Sequence, residues 1–118
     1  GGFAGTETDT AQRGDPLMNP TVLSGDIGVP GDSSDNSYHL VTCAASVDQV
    51  VLDGLIFQDA LANGPDVSDQ SGAAIVNAGE MRLAQCIIRD MAASGPGKAI
   101  WNSGPDAVLI VSRLVQLE

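Results

Sequence analysis

One octet constrains this chain more than anything else in it. Residues 72–79 read Gly-Ala-Ala-Ile-Val-Asn-Ala-Gly, and 25 residues later residues 97–104 read Gly-Lys-Ala-Ile-Trp-Asn-Ser-Gly. Gly, Ala, Ile, Asn and Gly coincide at five of the eight positions. Self-similarity at this period marks a stacked repeat, because one such unit is too small to bury its own apolar face.

A second segment follows each octet. Residues 81–88 (Met-Arg-Leu-Ala-Gln-Cys-Ile-Ile) align with residues 107–114 (Ala-Val-Leu-Ile-Val-Ser-Arg-Leu) at an offset of 26, which puts a one-residue insertion near Pro105. An earlier copy, residues 50–57 (Val-Val-Leu-Asp-Gly-Leu-Ile-Phe), precedes the middle one by 31. Its extra length falls in residues 62–71, rich in Asn, Gly, Pro, Asp and Ser, which is loop composition. The aligned apolar columns are Val50/Met81/Ala107, Leu52/Leu83/Leu109, Leu55/Cys86/Ser112 and Phe57/Ile88/Leu114. From Leu52 to Leu55 the step is three rather than two, so a bend or bulge must restore the inward facing.

Met81, Ala84, Ile88 and Met91 also fall on a helical stripe, and residues 81–93 alone would pass for an amphipathic helix. The other copies oppose that reading. Residues 50–57 are β-rich with Gly54 in the middle, a poor helix interior, and Leu109-Ile110-Val111 is aliphatic and β-branched.

The expected architecture is all-β: a parallel β-helix, a fragment of about four coils, with residues 1–118 as a single unit. Residues 1–20 form an irregular N-terminal segment and residues 21–118 the coils. Equivalent strands would pair in parallel about 4.8 Å apart, stacking Ile75 on Ile100, Asn77 on Asn102, and Leu52 on Leu83 on Leu109. An inward Asn at a bend can give its amide to the next coil, satisfying backbone groups that the turn leaves unpaired. Lys98 shares the parity of Ile100 and is expected to face inward unless Gly97 turns it out. Residues 21–27 and 38–44 read as strands, with residues 29–36 a loop. A stack with open ends exposes unpaired edges and is expected to associate.

Composition narrows the function. Aromatics are only 3 % of the chain, so Val, Ile, Leu and Ala must build the core. The net charge of −10 offers no basic face for phosphates, which argues against nucleic acid, and an anionic membrane surface would repel it. No apolar run reaches membrane-spanning length. Cys43 and Cys86 match no metal motif and are expected to be two small buried residues; a single disulfide between them is the alternative. The chain opens on Gly1-Gly2-Phe3 without initiator methionine or signal segment, as an internal piece of a longer protein would.

The Gly72-Ala73-Ala74-Ile75 and Gly97-Lys98-Ala99-Ile100 segments resemble the Gly-Gly-Ala-Ile motif of polymorphic outer-membrane protein repeats and related bacterial β-helix proteins of the pectate-lyase-like superfamily. The order of Gly1-Gly2-Phe3-Ala4-Gly5-Thr6-Glu7-Thr8, residues 19–27, Tyr38-His39-Leu40-Val41 and Leu52-Asp53-Gly54-Leu55 is similar to the start of such domains, and the resemblance spans nearly the whole chain. The second glycine is replaced by Ala73 or Lys98, and the companion Phe-x-x-Asn motif is degraded at Phe57/Ala60 and Ile88/Met91. The resemblance implies a right-handed coil, export to the cell surface or exterior, and often a carboxy-terminal anchoring domain.

The carboxylates that could serve catalysis are Asp48, Asp53, Asp59 and Asp90, since hydrolases of this architecture need two carboxylates facing across a glycosidic bond. Asp59 and Asp90 align at 31 residues, with Gln116 next, whereas Asp53 aligns with Ala84. The pair reads first as the solvated edge of a bend and second as a ligand contact. Asp26, Asp32 and Asp35 supply oxygens in a Gly-rich stretch without calcium-loop spacing, and Asp66 and Asp69 are weaker still. His39, the single histidine, has no Ser or Cys partner by spacing. Trp101, aligned with Val76, reads as packing under a loop or as a platform for a sugar ring. No catalytic residue, metal or cofactor is expected. The function expected is a non-catalytic structural or adhesive β-helix module of an exported bacterial surface protein. Its expected partners are extracellular glycans, other surface proteins and further coils of the same parent chain. The alternative is a carbohydrate-binding or polysaccharide-cleaving β-helix whose active coils lie elsewhere.

Overall fold

Left-handed residues set where the chain bends, and the bends set everything else. The computed structural model describes residues 1–117. Its strands are β1 (Thr21–Ser24), β2 (Val41–Cys43), β3 (Val50–Asp53), β4 (Leu55–Ala62), β5 (Ile75–Asn77), β6 (Glu80–Ala93), β7 (Ile100–Asn102) and β8 (Val108–Gln116). No α-helix occurs among the described residues; three short 3-10 turns lie in connections.

Every strand pairing is parallel. One sheet runs β1-β4-β6-β3 with β8 also on β6, and the other runs β2-β5-β7. The chain is thus a parallel β-solenoid of about three turns, where four coils were expected. Each turn lays a three-residue strand in the small sheet, then a long kinked path in the large one.

The kinks are in register. Gly54, Gln85 and Arg113 occupy one column with φ of 69°, 51° and 101°, and Asp59 and Asp90 occupy another with φ of 60° and 54°. A left-handed residue breaks the two-residue alternation, so buried side chains advance in steps of two and three: Met81, Leu83, Cys86, Ile88, Met91. Those mixed steps are what imitates a helical stripe in the sequence. The expected bend between Leu52 and Leu55 is Gly54 itself.

Phe57, Ile75, Met81, Leu83, Cys86 and Ile88 form the interior, all at most 1 % exposed. Ile75 stacks on Ile100, Asn77 on Asn102, and Leu52 on Leu83, as expected. The last coil departs from expectation by two residues. β8 pairs with β6 as Met81↔Leu109, Leu83↔Val111, Cys86↔Leu114 and Ile88↔Gln116, an offset of 28 rather than 26. A slip of two keeps the same face inward, so aliphatic alternation could not distinguish the registers. The turn decides. Asn102 Nδ2 donates to the Ala107 carbonyl (3.0 Å), and Val108 N donates to Gly79 O (2.9 Å), which fixes a longer turn than the sequence suggested. Lys98 is exposed on the last coil; it covers its buried equivalent, Ala73, whose N–H donates to Lys98 O (3.1 Å).

Residues 1–20 contain no strand, as expected, yet they are anchored. Arg13 makes a bidentate pair with Asp53 (2.8 and 2.9 Å) and donates through Nε to Gly1 O (2.7 Å). The Gly1 nitrogen donates to Asp53 O (2.7 Å), so this segment lies across the end of β3.

Candidate functional site

Three sets of side chains could carry function: the stacked aspartates, the polar interior, and the loops that leave the stack at one corner. Asp59 and Asp90 fall opposite each other on adjacent coils, flanked by Gln58↔Arg89 and Ala60↔Met91. Aspartate tolerates the left-handed region because its short side chain bonds locally. Asp59 Oδ2 accepts from Ser24 Oγ (3.2 Å) and Gln58 Nε2 (2.7 Å), and Gln58 Oε1 accepts from Arg89 Nε (2.9 Å). Ser24, Gln58 and Arg89 lie in one register column, so this network ties three coils together on the outside. The two aspartates stand beside each other on one edge. With the corrected register, Gln116 sits on Ile88 instead of below Asp90, and the position below Asp90 lies outside the described residues.

Trp101 is elsewhere. It is half-buried on β7, opposite Val76, in the other sheet. Gly72 and Gly97 lie against it: a Cβ on Gly72 would stand 3.0 Å from the Trp101 Cβ. Of the three residues singled out as ligand contacts, the fold unites Asp59 with Asp90 and leaves Trp101 apart.

Two polar residues, Ser71 and Asn77, are fully buried, and Asn77 lies inside the stack of strands. Its Nδ2 donates to Asn102 Oδ1 (2.7 Å) and to Val108 O (3.0 Å), and its Oδ1 accepts from Gly79 N (3.2 Å). This is the asparagine ladder the repeat implied. Cys43 occupies the same column one coil earlier, while Cys86 sits at a large-sheet bend with Sγ 3.4 Å from Leu52 O. Both thiols are buried and unbonded.

The corner loops are residues 25–40, 63–74 and 94–99, each joining the large sheet to the small one and each shorter than the last. Hydrogen bonds link them into one rim. Leu61 N donates to Ser37 O (3.0 Å), Gly95 N to Gln70 O (2.6 Å), and His39 Nδ1 lies 3.0 Å from Gly72 O. His39 Nε2 stands 3.8 Å from Asp69 Oδ1, so the single histidine clamps loop to loop. The carboxylates considered for calcium are used locally. Asp26 accepts from Gly31 N, Asp35 from Val29 N, and Asp32 from the Ser34 hydroxyl and N–H. Those Ser34 bonds, the hydroxyl's first, hold the Asp32 carboxyl below its usual range. Among the described residues no three such side chains gather around a metal position.

Sequence reasoning missed the Arg13–Asp53 anchor and a groove of about 330 Å³ beside it, walled by residues 13–17 and by Gln85, Ile87, Arg113 and Val115. One arginine in an acidic irregular segment was the only available signal.

Together these features define a parallel β-solenoid with an internal asparagine ladder and a single loop-bearing rim. No family model, curated protein or solved structure matches the chain. Among the described residues, no helix is long and apolar enough to cross a membrane.

Proposed function

We propose that the chain is a non-catalytic structural or adhesive module, a right-handed coil stack of an exported bacterial surface protein, that presents its corner loops to a partner. One observation carries this reading: the three corner connections emerge side by side and are bonded to one another, and the first two are longer than any of the opposite turns, residues 44–49, 78–79 and 103–107. A stiff stack that concentrates its irregular backbone on one rim has the form of a display scaffold, since binding residues collect on loops held by a rigid frame. The handedness follows the general preference of parallel strand crossovers. Extracellular glycans and other surface proteins are the partners that suit this reading, and further coils of the parent chain would stack on its edges.

A glycan array combined with polysaccharide lyase and hydrolase assays tests it. Expected is glycan retention without bond cleavage, lost when residues 63–71 are replaced by Gly-Gly while the strand signal in circular dichroism persists. Cleavage of any polysaccharide overturns it in favour of a carbohydrate-active β-helix, the reading that the stacked Asp59 and Asp90 favour.

A further inference from the structure

The column Gly54–Gln85–Arg113 sets a puzzle. All three residues have positive φ, and Gly54 shows what the bend itself asks for. Gln85 and Arg113 hold long side chains in a conformation that costs about 1–2 kcal/mol for an L-residue. Arg113, at φ 101°, lies beyond the ordinary left-handed well. Non-glycine residues held in such backbone gather where the side chain has a task.

Both residues line the groove of about 330 Å³, the lower end of the size range for small-ligand sites. Its remaining lining is mixed: Pro16, Leu17, Ile87 and Val115 are apolar, and Asp15 stands in the wall. Arg13 is already committed to Asp53 and Gly1. Arg113 is exposed, and among the described residues no carboxylate pairs with it. Asp15 Oδ1 accepts from Leu17 N (2.9 Å), which leaves its other oxygen to accept from a ligand. In a chain of net charge −10 with five cationic side chains, two arginines bordering one groove form a local exception.

We propose that this groove binds the carboxy-terminal residue of a peptide chain ending in an aliphatic side chain. The Arg113 guanidinium takes the terminal carboxylate, which its planar fork suits. Gln85 supplies a further donor, and Asp15 accepts the backbone N–H. Leu17, Ile87 and Val115 cover the aliphatic side chain.

The test is titration of the ¹⁵N-labelled chain with the pentapeptide Gly-Gly-Gly-Gly-Leu, as free acid and as amide, with inorganic phosphate as a third ligand. Expected is saturable movement of the Gln85, Ile87 and Val115 amide signals by the free acid, with Kd on the order of millimolar for so small a ligand. The amide should bind about tenfold more weakly, as should the free acid to Arg113→Gln. Gln85→Gly and Arg113→Gly guard against a folding artefact, because glycine relieves the backbone. Both should melt no lower than the parent and still bind more weakly. The proposal fails if the amide binds as tightly as the acid, if phosphate moves the same signals equally well, or if both glycine variants bind like the parent.

Discussion

The middle and last coils carry nearly the same octet, and the two octets meet different fates. Ile75 and Asn77 are fully buried, whereas Ile100 is half-buried and Asn102 exposed. Further along, Met81 and Leu83 are at most 1 % exposed, while Val111, opposite Leu83, is 45 % exposed. The side chains point the same way in both coils. What differs is that the middle coil has a neighbour on each side and the last has one among the described residues. In a solenoid, burial is a property of the interface between units, so identical residues contribute unequally by position.

Paired substitutions sharpen this comparison. The largest effect is expected from Ile75→Ala, which leaves a cavity between two coils and should cost about 2–5 kcal/mol of unfolding free energy. Ile100→Ala should cost less than half as much, because its site can relax toward solvent. Urea denaturation of both variants checks this; equal losses would show that burial is not graded along the stack. Next come the asparagines. Asn77→Ala strands the Gly79 N–H inside the protein and removes the bonds to Asn102 and Val108, for a loss of about 1–3 kcal/mol. Asn102→Ala removes the surface bond to Ala107 and one of the two acceptors of Asn77 Nδ2, which keeps Val108 O; it should cost less than Asn77→Ala, about 1 kcal/mol, read from thermal melts run in parallel.

The smallest effect belongs to the irregular segment. The Glu7 carboxylate accepts N–H bonds from Ala4, Gly5 and Thr6 at 2.7–3.0 Å. These bonds, Ala4's first, lower its pKa from the ordinary 4.5. A carboxyl with a lowered folded-state pKa gives its full contribution above pH 4.5 and loses it as pH falls through the lowered value. Amide exchange at residues 4–6 should therefore speed up, beyond its intrinsic pH trend, only below about pH 4.5, while residues 75–77 stay protected. Unchanged relative protection down to pH 2 would separate the segment's order from Glu7.

The stacking partners Ile75/Ile100 and Asn77/Asn102 were legible because a repeat reports its own alignment. The bend at Gly54 was legible because glycine and a step of three coincide. The bend at Gln85 showed only by alignment with it, since nothing about glutamine announces a positive φ. Of the candidate site, the stacking of Asp59 on Asp90 could be read from their spacing. Its separation from Trp101 could not, because the sheet that receives each strand is a matter of topology.

The repeat and local residue chemistry by themselves determined that this chain makes parallel strands, which residues of the middle coil face inward, and that asparagine fills the buried turn. Those choices depend on alternation, turn formers and near neighbours along the chain. The register of β8, the seating of residues 1–20 on Asp53 and the groove between Leu17 and Arg113 were decided only by the tertiary structure. Each depends on contacts between segments far apart in the chain, and a two-residue slip or an unmade ion pair leaves no trace in the local pattern.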